Sequence, residues 1–215
     1  MKDTLVVIFL VLIWGSFAAK ADDPIKNDIA PTCTTSLQNI LSSIRTIDTD
    51  FKQITYTEKG KIIQEVEGHL MAERPGNLSW ITKAPMEQHI ISDNKNLWIY
   101  DPDLQQVSIG EFSHELSKNP AILFVGSIDN IEISYNVSCK HSRAGDFLLT
   151  PVTTDSLYQK LEMSFIDKTP VSMVLSDSFG YRTEIYFIDL QMNQVLVQRS
   201  FQFSPPEGVD IIRHK

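Results

Sequence analysis

The chain has 215 residues, 42% of them hydrophobic, 21% charged and 9% aromatic, which is enough for one domain with a substantial core and too short for two large ones. Its 19 Lys and Arg against 27 Asp and Glu give a formal charge of -8, which argues against a nucleic-acid binder, whose affinity comes from clustered cations, and against adhesion to anionic lipid. Nine Gly and ten Pro exclude collagen-like and linker-like chains, and two Cys are too few for a disulfide-built mini-fold or a four-Cys zinc site.

In chain order, the first element is an address. Lys2 supplies a positive start, Leu5 to Trp14 is an apolar run well short of the roughly 20 residues that span a bilayer, and Ala19-Lys20-Ala21 is a small-x-small cleavage site. Residues 1–21 are therefore expected to be a cleaved export signal, leaving 22–215 as a single domain. No Cys follows the apolar run where a lipid-modified one would stand, since the first is Cys33, so a soluble product is expected. Export to an oxidising compartment permits a Cys33–Cys139 disulfide, but two thiols in one sequence leave open whether their Cα atoms come within about 7 Å.

Asp22 to Pro31 has no periodicity and reads as a lead-in. Leu37, Ile40, Leu41, Ile44 and Ile47 then recur at helical spacing, predicting an amphipathic helix over 34–47 with Thr34, Thr35 or Ser36 as N-cap. After Asp48 the pattern changes to short runs of β-formers separated by turn residues. Strands are expected near 49–57, 62–73, 77–83, 86–92, 96–101 and 104–110, with turns at 93–96 and 101–103. Pro120 at a first helical position, followed by Ala121 to Val125, predicts a short apolar helix over 120–126. A second set of strands is expected near 132–139, 146–150, 157–166, 171–178, 182–189 and 195–203. About eleven or twelve strands with two or three helices make a mainly β (α+β) fold, one curved sheet with its helices on one side. Its concave face must be filled by side chains or by a ligand.

Catalytic chemistry is poorly supported. The five His are scattered without metal-ligand spacing, and no P-loop, G-x-G-x-x-G or G-x-S-x-G occurs, so neither catalytic residues nor metal or cofactor are expected. Asp101 and Asp103 flank Pro102 in a turn and fit turn geometry better than acid/base work.

Strand alternation singles out Arg74. Leu70, Ala72 and Arg74 share one face of the strand at 69–74, and Pro75 ends that strand, which leaves the guanidinium at the rim of the concavity. There it either latches onto backbone carbonyls of a covering element, or snorkels to solvent or pairs with a surface carboxylate. Leu78 and Trp80 share a face, as do Trp98 and Tyr100, and these large side chains serve either a packed core or a ligand cavity.

The order Phe51-x-Gln53, Gly68-x-Leu70, Arg74-Pro75-Gly76-x-Leu78-x-Trp80, Pro85 and Leu97-Trp98-x-Tyr100-Asp101-Pro102-Asp103-Leu104-x-Gln106-Val107 resembles the outer-membrane lipoprotein carrier family, LolA. The resemblance continues through Asn119-Pro120-Ala121-Ile122-Leu123, Phe147-x-Leu149-x-Pro151, Asp177-x-x-Gly180 and Phe201-x-Phe203-x-Pro205-Pro206-x-Gly208-Val209, covering nearly all of the expected mature chain. It implies an incomplete antiparallel β-barrel of about eleven strands, closed by a lid of short helices over an apolar cavity that receives the acyl chains of a lipoprotein. It also implies that Arg74 bonds lid carbonyls and that Leu70, Leu78, Trp80 and Trp98, with Ile122, Leu123 and Phe124 on the lid, line the acyl-chain cavity. The implied partners are acylated lipoproteins as cargo, an ATP-driven inner-membrane releasing complex and an outer-membrane acceptor, for a monomeric periplasmic carrier without cofactor. A lipid- or partner-sensing regulator of the same fold is the alternative.

Overall fold

The computed structural model describes residues 31–112, 120–129, 131–140, 145–153 and 156–213, so the expected signal and its cleavage site lie outside the described residues. Twelve strands form one open sheet: β1 (Thr46–Tyr56), β2 (Ile62–Glu73), β3 (Asn77–Thr82), β4 (Gln88–Asp93), β5 (Asn96–Asp101), β6 (Gln106–Glu111), β7 (Tyr135–Cys139), β8 (Asp146–Pro151), β9 (Lys160–Ile166), β10 (Thr169–Ser176), β11 (Arg182–Met192) and β12 (Asp210–Arg213). Their spatial order is β12-β6-β5-β4-β3-β2-β1-β11-β10-β9-β8-β7. Neighbours are antiparallel except β12, which runs parallel to β6.

Turn chemistry sets the meander. Asp93 accepts from the backbone N–H of Lys95 and Asn96, and Asp177 from those of Phe179 and Tyr181, so each carboxylate closes the hairpin beside it.

One face of the sheet carries the core. On β2 the buried positions are Val66, Gly68, Leu70 and Ala72, and the intervening residues face outward, the alternation of a half-buried strand. Helix α1 (Cys33–Ser42) lies over this face with Leu37 and Leu41 buried, capped by Thr32, whose hydroxyl accepts from the N–H of Thr35 at 3.1 Å. Among the described residues two further short helices, α2 (Ile122–Val125) and α3 (Ile131–Ser134), belong to the cover. Phe51 packs on Trp80 with ring centroids 5.0 Å apart, and Phe124 on α2 packs edge-on against Phe187 of β11 at 5.7 Å.

The structure corrects several expectations, the first being the cap of the first helix, which is Thr32 rather than Thr34, Thr35 or Ser36. The first helix stops at Ser42 rather than 47: the Ser43 hydroxyl donates to the carbonyl of Ile40, and β-branched Thr46 and Ile47 instead pair with Glu73 and Ala72. Ile44 and Ile47 are still buried, so the apolar stripe continues from helix into strand. Residues 131–134, expected to begin a strand, form α3.

The segment 195–203 is not a strand but an extended stretch with a 3₁₀ turn at Gln198–Phe201. Both flanks of β11 are occupied by β1 and β10, so the chain that leaves it has no edge to join. Asn193 diverts it, accepting from the N–H of Arg45 and donating to the carbonyl of Ser43. The segment crosses the outer face of β3 and β4, and β12, which sequence reading missed, then caps the edge of β6.

Candidate functional site

Arg74 follows the last residue of β2, in the turn to β3. Gly76 closes that turn at φ +76°, and a Cβ there would stand 2.0 Å from the side-chain oxygen of Asn94, so the position requires glycine on both counts. The turn lies under α2. The N–H of Gly76 donates to the carbonyl of Val125 at 2.9 Å, and Arg74 Nη1 and Nη2 donate to the carbonyls of Gly126 and Leu123. Arg74 Nε donates to the carbonyl of Ile44 at 3.2 Å and the Arg74 N–H to that of Arg45 at 2.9 Å, which ties in the exit of α1 as well.

These carbonyls are available because a helix end leaves its last C=O groups without intrahelical partners. A planar guanidinium reaches two of them at once, which a lysine ammonium cannot do with fixed geometry. Among the described residues every partner of the side chain is a neutral carbonyl. Burial without a counter-charge lowers the guanidinium to about 10, so it remains a cation at neutral pH. Gln38 of α1 adds a second tie within the cover, donating to the carbonyls of Ile128 and Asp129 at 3.1 and 3.2 Å.

Under the cover the sheet and helices enclose the core, and toward the far ends of β1 and β2 this space opens into a cavity of about 490 Å³. Trp80, Ile90, Leu175 and Ile185 form its apolar wall, and Gln53, Gln64, Thr82 and Gln88 its polar one. A smaller recess of about 180 Å³ shares Pro120, Leu175 and Thr183 with it. The guanidinium and the open mouth therefore lie at opposite ends of the same concave face.

Of the residues expected to line an acyl cavity, the structure brings Leu70, Leu78 and Trp80 together on the concave face, with Leu123 and Phe124 in the same buried cluster and Ile122 packed against it. Trp80 reaches the open cavity; Leu70 and Leu78 are sealed beneath the cover, each 0% exposed. Trp98 lies elsewhere. Leu97 and Ile99 take the concave side of β5, so Trp98 and Tyr100 point outward, where both rings pack on Phe203. Sequence reading missed Ile90, Leu175, Ile185 and Gln64 as cavity residues, though concave-face alternation on each strand would have marked them. Cys33 at the start of α1 and Cys139 at the end of β7 are joined in a disulfide, with Cα atoms 5.4 Å apart.

Comparison with known proteins gives one consistent set of relatives. The family model described as outer membrane lipoprotein carrier protein LolA matches residues 42–204. The chain is 41% identical over 181 residues to the outer-membrane lipoprotein carrier protein of Hahella chejuensis, covering 83% of this chain and 87% of that one. It is 36% identical over 203 residues to the protein of the same name from Pseudomonas aeruginosa, covering 94% of each. Among solved structures, a LolA superfamily protein from Nitrosomonas europaea shares the fold at a TM-score of 0.50 and 13% identity, over 81% of this chain and 99% of that one.

Proposed function

The chain belongs to the outer membrane lipoprotein carrier family, LolA, and from that premise we propose that it ferries lipoproteins by holding their acyl chains between the sheet and the helical cover. A lipoprotein anchor buries about 0.8 kcal/mol per CH₂, so each long chain costs on the order of 10 kcal/mol to expose to water. Free diffusion of such cargo across an aqueous compartment is negligible, and a carrier must shelter the chains in transit.

The observation that supports this reading most is the grip of Arg74 on the carbonyls of Leu123 and Gly126. It makes Arg74 a latch that keeps the empty cavity covered, preventing an open apolar groove from acting as a sticky surface patch. Cargo entering beneath α2 must break those bonds, so loading stores an opposing tendency to close, and closing favours release. Leu70, Leu78 and Trp80 with Ile122, Leu123 and Phe124 are the surfaces that part to admit the chains.

In the full reading, residues 1–21 direct export and are removed, and residues 22–215 act as one carrier domain in the periplasm. A monomer takes cargo from an ATP-driven inner-membrane complex and yields it to an outer-membrane acceptor, without catalysing a reaction. The test is a release assay. Inner-membrane vesicles holding the ATP-driven complex and a triacylated lipoprotein should give up that lipoprotein to the soluble fraction only when ATP and this protein are both present. Equal release without the protein would refute the proposal.

A further inference from the structure

The concave face changes chemistry along its length. On β1 it reads Ile47, Thr49, Phe51, Gln53, Thr55, on β2 it runs from Ala72 and Leu70 to Gln64, and on β3 from Leu78 and Trp80 to Thr82. The same turn from apolar to polar occurs between Ile90 and Gln88 on β4, and between Ile185 and Thr183 on β11. β4, β3, β2, β1 and β11 are consecutive in the sheet, and on each the polar residues follow the apolar ones toward the mouth: by register Thr82 and Gln88 lie level with Phe51, Gln53 lies one row further out between Val66 and Ile185, and Gln64, Thr55 and Thr183 share the row beyond, so together they form a staggered polar band.

Every member of the band is an uncharged amide or hydroxyl. Gln53 and Gln64 sit diagonally across the β1–β2 ladder, where Gln53 pairs with Val66 and Thr55 with Gln64. Both side chains are half-buried and line the cavity, and among the described residues neither amide has a hydrogen-bond partner. The charged residues described in the lining are Glu87, Asp101 and Asp103, all acidic.

Resting on the carrier reading above, we propose that this band is a headgroup subsite, in which Gln53 and Gln64 donate to the ester and amide carbonyls that join the acyl chains to the cargo's terminal residue. An ester offers acceptors and no donor, and the glutamine amide supplies two N–H donors with no charge to desolvate. Acyl chains entering from the mouth reach the apolar floor first with their tails, which leaves their linking carbonyls level with the band. Carboxylate- or phosphate-headed lipids of equal chain length would instead meet acidic side chains and, among the described residues, no cation. The ligand class is thus a neutral ester- and amide-linked acyl headgroup.

The test uses the mature protein and a cysteinyl peptide carrying one amide-linked and two ester-linked palmitoyl chains, beside an analogue whose two ester links are ethers. Wild type should bind the ester form about tenfold more tightly, the scale of two net hydrogen bonds. In the Gln53→Leu/Gln64→Leu double variant the ester form should weaken to the level of the ether form. Equal affinity of wild type for the two peptides overturns the subsite and leaves the carrier reading intact, and so does an ester preference that survives in a folded double variant. Tighter binding of dipalmitoyl phosphatidate than of the ester peptide overturns it as well. Failure of wild type to bind either acylated peptide any better than the unacylated one would refute the carrier reading itself and the subsite with it.

Discussion

Arg74 Nη2 donates to the carbonyl of Leu123, so the turn between β2 and β3 is bonded to the middle of the short helix that covers the cavity. The two residues are 49 positions apart, and no element of regular structure connects them directly. On the carrier proposal the bond is made only while the cover is closed, and this state dependence is what makes the residue worth altering.

Arg74→Leu should therefore accept cargo and release it poorly, because it removes bonds made only in the empty, closed form. The same change leaves buried carbonyls without a donor and should lower the stability of the empty protein by about 1–3 kcal/mol. Arg74→Lys should fall between, since one ammonium cannot satisfy the same set of carbonyls. Urea unfolding of the empty form and transfer of labelled cargo to an acceptor measure the two effects separately. Normal transfer by Arg74→Leu would exclude the latch.

The latch should be indifferent to pH over the range in which cells live. Burial lowers Arg74 to about 10, so the unfolded chain holds an extra proton only from there up to the ordinary guanidinium value. The linkage has the sign of stability rising with pH, and it is confined to that alkaline window. Between about pH 5 and 9 the group stays charged in both states, so the loss of stability on Arg74→Leu should be constant across that range. A loss that varied steeply with pH would contradict a permanently charged guanidinium.

The two tryptophans on opposite faces should separate binding from folding. Trp80→Ala removes part of the cavity wall and should weaken cargo binding at least several-fold. Trp98→Ala disturbs the outer cluster with Phe203 and should lower stability without changing cargo affinity. Titration of both variants with an acylated peptide, alongside their melting curves, checks the assignment of faces. A loss of affinity in Trp98→Ala equal to that in Trp80→Ala would contradict it.

Gly68 and Gly60 offer a steric contrast. A Cβ at Gly68 would lie 2.2 Å from Cζ of Phe51 and 2.3 Å from the backbone oxygen of Ile81, so Gly68→Ala must displace the ring that packs on Trp80. It should cost about 1–3 kcal/mol and disturb the cavity wall. A Cβ at Gly60 would meet nothing within 4 Å, and only the φ of +76° resists substitution there, so Gly60→Ala should cost about 1 kcal/mol and leave cargo binding alone. Denaturant midpoints rank the two.

The disulfide closes a loop across 106 positions and joins the start of α1 to the last strand of the sheet. By loop-closure entropy, Cys33→Ser/Cys139→Ser should lose up to about 5 kcal/mol. Wild type in reductant should fall to the same urea midpoint as the double variant. No difference between oxidised and reduced wild type would show that the tether does not restrain the unfolded chain.

Strand alternation made the fold legible wherever one face is buried and the other wet, as on β2. It was less informative on β5, because Leu97 to Tyr100 is apolar on both sides. Spacing shows that Trp98 and Tyr100 share a face but cannot say which, and the answer depends on Phe203, more than 100 residues later. The end of α1 was hidden for a related reason: Ile44 and Ile47 keep helical spacing while one lies in the loop and the other on β1. β12 is exposed at all four positions and carries no pattern to detect. Arg74 could be placed at the rim from Pro75 alone, whereas its acceptors on α2 are a product of tertiary packing. Gln53 stood within a recognised motif; alternation along β2 puts Gln64 on the concave face, and the β1–β2 register brings the two side by side.

The most direct measurement is native mass spectrometry of the mature protein mixed with a purified triacylated lipoprotein and, separately, with its unacylated form. A carrier of acyl chains should form a one-to-one complex with the acylated form alone. Equal association with both forms, or with neither, would contradict that function.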